Sequence, residues 1–327
     1  MEMNAEVKAI LVSIGSADID EKLITTTTKP TAGPGAGLTS FFFRSGGHRV
    51  RLGVDKNSPL KVIKENNEIV ISKDGTELVR GELEDALSHC PGQAYITISE
   101  SCIYDCKFCP VPKLKGEAKS LKTILDIVEE CHRTGKMEAI SITSGVEISP
   151  EDEVEKAVKV VAELKKKYQV AIGVSVYPTR TSSHELKEAG AVEIKYNVET
   201  MDPEIFKRVC PGLSLEFILE ALNDAVSIFG RNRVFSNFII GLGESDECVE
   251  RGVTKLAGMG VIPILRPISQ HPRREGEVYV DRPSPERLFR LAEMLREILD
   301  RYGLRADISQ TMCLPCTGCD MTPHRDV

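Results

Sequence analysis

From about residue 90 onward, short apolar, β-branched runs alternate with longer stretches whose apolar residues recur every three or four positions. The short runs are AYITIS (94–99), AISITS (139–144), VAIGVSV (170–176), VEIKYNV (192–198), VFSNFII (234–240), VIPILRP (261–267) and LRADIS (304–309). Between them lie amphipathic stretches such as SLKTILDIVEECHRTG, SPEDEVEKAVKVVAELKKKY, SLEFILEALNDAVSIFG and SPERLFRLAEMLREILDRYG. Several open on Ser or Ser-Pro and close on Gly, the start and stop chemistry of helices. This alternation predicts an α/β protein with a parallel sheet, curled into a partial TIM-type (β/α)6-7 barrel.

The first 90 residues follow another pattern. TTTTKPTAGPGAGLTS (25–40) is rich in Thr, Gly and Pro and predicts a loop or mobile segment. FFFRSGGHRVRLGV and PLKVIKENNEIVISKDGTELV predict short strands joined by turns, with SKDG (72–75) as a hairpin turn because Asp-Gly tolerates positive φ. The division expected is a β-rich extension over 1–90, the barrel over 91–310 and a cysteine-rich segment over 311–327.

Composition narrows the function. A net charge of −7 argues against a general nucleic-acid backbone binder. No apolar run reaches the ~18 residues of a membrane span. The opening residues mix acidic with apolar positions and show no basic leader, so a cytoplasmic setting is expected, with neither nucleic acid nor membrane as partner. In that setting ten cysteines should be mostly reduced, which favours metal or cluster ligation over a disulfide framework. Cys102/Cys106/Cys109 and Cys313/Cys316/Cys319 form two tight groups. Cys90, Cys131, Cys210 and Cys248 are scattered, as small buried apolar side chains are.

The first group, CIYDCKFC, has the spacing C-x3-C-x2-C and follows the first expected barrel strand. A loop there opens on the face where barrel enzymes keep their active sites. Three closely spaced thiolates suit three irons of a four-iron cluster, leaving the fourth open to a small molecule. The alternative is a zinc knot, which usually wants four ligands from paired motifs. With the aromatic Phe108 before the last cysteine, the segment resembles the hallmark of the radical S-adenosylmethionine (radical SAM) superfamily. The resemblance implies a [4Fe-4S] cluster on Cys102, Cys106 and Cys109 and S-adenosylmethionine on the open iron, held by its amino and carboxylate groups. It also implies reductive cleavage to a 5′-deoxyadenosyl radical, fed by an electron donor of ferredoxin or flavodoxin type.

Further segments extend the resemblance over roughly 93–310. ITSGVE (142–147) is similar to the superfamily's glycine motif near the methionine amino group, with Thr143, Ser144 and Gly145 as candidates. YNVETMDPEIFKRVCPG (196–212) resembles the NxET or NxDT segment of the biotin synthase and lipoyl synthase group, which assigns Asn197 and Glu199 to the ribose hydroxyls. Strand alternation would point both side chains the same way. Arg208 suits the methionine carboxylate, or is a solvated helix residue. NFIIGLGESDE (237–247) resembles the GLGET segment, placing the backbone of Gly241 and Gly243 near adenine, with Glu244 and Ser245 starting the next helix.

The second group, CLPCTGC, follows the expected seventh strand and should also open on the top face. It suggests a second, auxiliary [4Fe-4S] cluster across the cavity, whose fourth ligand is Cys210, Cys90, a hydroxyl or a small thiol. A zinc site or a disordered tail are the alternatives. Arg266 should point into or beside the cavity. The overall look is closest to archaeal biotin synthase-related proteins, some of which act as paired lipoyl synthases. That implies sulfur insertion into an octanoyl chain on a lipoyl-carrier protein or peptide, with a partner radical SAM subunit. Radical methylation or rearrangement in cofactor biosynthesis is the rival enzyme reading. A non-catalytic two-cluster electron carrier is the rival from another class.

Overall fold

The structure is a computed structural model that describes residues 2–24 and 26–327. Thr25, the first residue of the Thr/Gly/Pro-rich loop, lies outside the described residues. Helix α1 (Ala5–Ile14), capped by the Asn4 side chain, leads into β1 (Ser16–Ile19), β2 (Ser40–Ser45), β3 (His48–Val54), β4 (Leu60–Glu65), β5 (Glu68–Lys73) and β6 (Thr76–Glu84). These strands close into a small barrel in the order β1-β3-β2-β6-β5-β4. Its core is Phe41, Phe43, Val50, Leu52 and Ile71, all essentially inaccessible. Asp74 and Gly75, both at positive φ, make the β5–β6 turn, as the Asp-Gly pair dictates.

The second unit is a parallel sheet of β7 (Gln93–Thr97), β8 (Ala139–Thr143), β9 (Ala171–Ser175), β10 (Glu193–Lys195), β11 (Val234–Ile240) and β12 (Ile262–Pro267), paired in chain order. Helices α2 (Leu121–Arg133), α3 (Pro150–Lys167), α4 (Ser182–Ala189), α5 (Pro203–Val209), α6 (Leu215–Phe229), α7 (Asp246–Met259) and α8 (Pro285–Arg301) connect and cover it. Serine N-caps start α2, α3, α6, α7 and α8, each accepting a backbone N–H, as the sequence predicts. Among the described residues no helix is long and apolar enough to cross a membrane.

Successive strand residues face opposite sides. One set, including Ile96, Ile142, Val174, Ile194 and Phe238, is buried and apolar; Phe238 meets α7 at Gly252. The other set carries Gln93, Thr97, Ser141, Thr143, Glu193, Lys195, Asn237 and Arg266. The inner face of the sheet is therefore polar.

LRADIS (304–309), expected as a seventh strand, is not one. Its backbone groups are taken up locally: Asn232 Oδ1 accepts from Arg305 N at 2.8 Å, His324 Nδ1 accepts from Ala306 N at 3.2 Å, and Ser309 Oγ donates to Ala306 O at 2.7 Å. No ladder forms there, so among the described residues the partial barrel has six strands and remains open between β7 and β12. The small barrel docks on that flank. Arg282, after β12, donates to Val12 O at 2.7 Å, and His271 meets Ala36 O at 3.1 Å.

Candidate functional site

The loop after β7 carries Cys102, Cys106 and Cys109, all partly exposed. Its shape is imposed by neighbours. Gly145 N donates to Ser99 O at 2.9 Å, and Ile103 N to Val146 O at 2.7 Å. A Cβ on Gly145 would lie 2.0 Å from Ser101 O, so only glycine lets the β8 loop pass beneath the cysteines. Buried Glu153 accepts from Ser99 Oγ at 2.9 Å and Ser144 Oγ at 2.7 Å. Arg274, 1% exposed, donates to Cys109 O at 2.7 Å and pairs with Asp105 at 2.6 Å. Ser144 and Gly145 thus hold the cysteine loop. Glu153 and Arg274, which carry no motif, are the residues the sequence left unmarked.

Burial raises the Cys102 thiol and lifts Cys109 to about 12. Cys210, at the end of α5, has its thiol hydrogen-bonded to Cys106; that bond, then burial, pushes Cys210 upward. The structure therefore sets Cys210 beside the first thiol group. It does not join the tail, where it had been a candidate fourth ligand.

Asn197 and Glu199 meet on this rim, but not by strand alternation. β10 ends at Lys195, and Glu199 adopts φ +59, a left-handed conformation costly for a non-glycine residue. Its backbone bridges to β11 through Glu199 N to Asn237 O at 3.0 Å and Ile239 N to Glu199 O at 2.7 Å. Burial raises the Glu199 carboxyl to about 7; Lys195, a hydrogen bond from Asn197 and Arg266 act against the rise. Gly241 and Gly243 both have positive φ in the turn after β11. Glu244 folds back to accept from Gly241 N and Leu242 N at 2.7 and 2.8 Å, and Ser245 caps α7. Arg208 is exposed and reaches Leu242 O at 3.5 Å, while Thr143 closes β8.

Two buried polar atoms near these loops, Ser101 Oγ and Asn237 Oδ1, lack a hydrogen-bond partner within the protein among the described residues. Buried polar atoms are rarely left unsatisfied. A polar ligand between the cysteine loop and β11 would satisfy them, so the donor set and its surroundings fit a thiolate-held cluster with a nucleoside-bearing ligand. No three His, Cys, Asp or Glu side chains among the described residues close on one point as a single ion requires. A cluster spreads its thiolates over separate irons.

The tail lies elsewhere than expected. Without a seventh strand it does not open on the top face. It enters from the N-terminal ends of the strands. Glu193, first residue of β10, accepts from Gln310 N at 3.0 Å and from Thr311 N and Oγ1 at 2.8 and 2.6 Å. Gln93, first residue of β7, accepts from Met312 N at 2.7 Å and donates to Met312 O at 2.9 Å. A Cβ on Gly173 would lie 2.0 Å from Thr311 Oγ1, so β9 has glycine where the tail crosses it. Cys313 opens the short helix α9 (Cys313–Cys316) inside the sheet, with its sulfur 2.9 Å from Arg266 Nη2 and 3.4 Å from Lys195 Nζ. Beyond it, Arg51 N donates to Gly318 O at 2.7 Å, and buried Lys8 donates to Thr317 O and Asp326 Oδ2 at 2.7 and 2.6 Å. The tail is a built part of the fold, clasped between both units.

No match is found among curated proteins. Solved structures similar to this chain include the FeFe-hydrogenase maturase HydG from Carboxydothermus hydrogenoformans, at 17% identity and TM-score 0.53 over 64% of this chain and 52% of that one. Methylornithine synthase (PylB) matches at 16% identity and TM-score 0.51, over 65% and 69% of the two chains. Streptococcus suis SuiB bound to S-adenosylmethionine matches at 14% identity and TM-score 0.52, over 65% and 48%. The match spans about half the length of HydG and of SuiB. These likenesses show the fold. The sequence itself matches the radical SAM superfamily over residues 96–255, from the end of β7 into α7. Over residues 96–255 the parallel sheet with its cysteine loop is thus similar to a radical SAM superfamily domain.

Proposed function

We propose that this protein is a radical SAM enzyme that inserts sulfur from a second iron–sulfur centre into unactivated C–H bonds, in the manner of a lipoyl synthase acting on an octanoyl chain. When bound, a [4Fe-4S] cluster with S-adenosylmethionine supplies one-electron cleavage of the sulfonium to a 5′-deoxyadenosyl radical. Cys102, Cys106 and Cys109 would hold that cluster, while Asn197, Glu199 and Asn237 orient the nucleoside and Arg208 reaches for the methionine carboxylate. A ferredoxin- or flavodoxin-type protein would donate the electron.

The observation that carries the finer reading is the burial of Cys313 against Lys195 and Arg266 on the inner face of the same sheet. Both cations also act on Glu199, so the two thiol groups flank one polar interior. A sulfur donor needs that placement. The test is anaerobic reconstitution, reduction and incubation with S-adenosylmethionine and an octanoyl-bearing peptide or carrier protein, with the tail sulfide isotopically labelled. The expected result is labelled product, at least two 5′-deoxyadenosines per doubly thiolated product, and loss of tail sulfide. An intact tail centre through many turnovers would overturn sulfur donation. Absence of any 5′-deoxyadenosine would overturn the radical enzyme and leave an electron carrier.

A further inference from the structure

Cys90 stands alone in the sequence, between the small barrel and β7. In the fold it is fully buried and packs against Cys316. The two sulfurs share a pocket with Phe42 and Ala86, walled by Tyr95. Their proximity is fixed by the backbone. The Cys90–Gln93 bridge positions Cys90, and Gln93 grips Met312 through two hydrogen bonds, one residue before Cys313. Any movement of the tail cysteines relative to Cys90 would break those bonds.

The surroundings carry positive charge. Lys195 is 4% exposed, and the one hydrogen bond of its ammonium among the described residues goes to Cys313 Sγ. Arg266 Nη2 lies 2.9 Å from the same sulfur, Arg51 Nη1 is 4.0 Å from Cys319 Sγ, and Arg49 donates to Cys316 O at 3.1 Å. Asp320, 3.4 Å from Arg266, and Glu84, paired with Arg49, answer part of this charge. Burying an ammonium against a neutral thiol is costly, whereas an anionic metal–thiolate centre compensates it. We propose that Cys90 supplies the fourth thiolate of a metal–sulfur centre with Cys313, Cys316 and Cys319, shaped for an iron–sulfur cluster and ligated from two separate parts of the chain. This rests on the second centre proposed above.

The test uses the full chain, anaerobically reconstituted, with the first centre removed by Cys102, Cys106 and Cys109→Ala. On that background the tail centre is read by iron and sulfide content and by EPR of the reduced protein. We expect about four irons to remain, and Cys90→Ser to lose them or to convert the signal to that of a three-iron cluster. Cys131→Ser, a buried cysteine of α2, should leave both readings unchanged and so controls for general damage; circular dichroism of each apoprotein checks the fold. Unchanged iron and EPR in Cys90→Ser would overturn the role of Cys90 alone. If the background binds no iron, or one zinc per chain, the second iron–sulfur centre itself falls.

Discussion

The two cysteine triplets have nearly the same local sequence density and opposite environments. The triplet after β7 sits on a partly exposed loop where burial acts first on Cys102 and Cys109, then backbone N–H groups of the loop, then other thiols and the carboxylates Glu153 and Glu199. The tail triplet is clasped inside the fold with Lys195, Arg266, Arg51 and Arg49 around it. Cys102 and Cys109 are pushed up by burial. Cys316 is lowered to about 7, first by the hydrogen bond from Cys90, with burial opposing and Arg49 and Arg266 assisting. A site whose nearby cation, Arg274, is already paired with Asp105 suits a ligand that brings its own positive charge, as a sulfonium does. A site ringed by cations stabilises an anionic centre by itself. The same residue type in the same spacing class is thus prepared for different tasks by what surrounds it.

Breaking the first site should have the largest effect. Cys106→Ala should bring 5′-deoxyadenosine formation to background and remove about four irons per chain, measured by chromatography and iron assay. Breaking the tail by Cys313, Cys316 and Cys319→Ala should remove a similar number of irons but leave 5′-deoxyadenosine formation in place, uncoupled from thiolated product. Equal loss of both activities would mean the sites are not separable.

Lys195→Met sharpens the comparison by removing one cation of the tail while leaving every thiol. The tail centre should become harder to reduce by on the order of 100 mV, read by EPR-monitored redox titration, with the first centre shifted less. At the other site, Arg274→Ala releases Asp105 and the Cys109 carbonyl. The expected cost is about 1–2 kcal/mol of stability, measured by denaturant unfolding, and faster loss of the first cluster to a chelator.

The smallest effect concerns pH. Glu199 titrates in the folded protein at about 7, above its ordinary carboxylate value of 4.5, so the folded state binds its proton more tightly. Its contribution to stability is full at and below pH 4.5, is lost as pH rises towards 7, and is flat above. The loss should be about 1–2 kcal/mol after allowance for partial solvent access. Glu199→Gln should remove that slope from the apoprotein's unfolding free energy.

How far this was legible depended on whether the signal was local. CIYDCKFC declares its chemistry within eight residues, because one loop supplies all three thiols. The six β/α units were legible for the same reason: period-2 apolar runs and Ser-capped amphipathic stretches are properties of short segments. LRADIS has the right residue types for a seventh strand but does not form one, because its polar groups are claimed by Asn232, His324 and Ser309. Glu153, Arg274 and Lys195 were invisible because a single charged residue acquires meaning only from what it is buried against.

The sequence by itself determined that a parallel α/β sheet would present a three-thiol loop at the end of its first strand. It also determined that a second group of thiols would close the chain. Only the tertiary structure decided where the second group lies, that Cys90 joins it and Cys210 does not, and that Lys195 and Arg266 face it. Helix periods and strand alternation are written in neighbouring residues. The meeting of residues 90, 195, 266 and 313 depends on closing loops across most of the chain, and that closure is fixed by packing rather than by any local pattern.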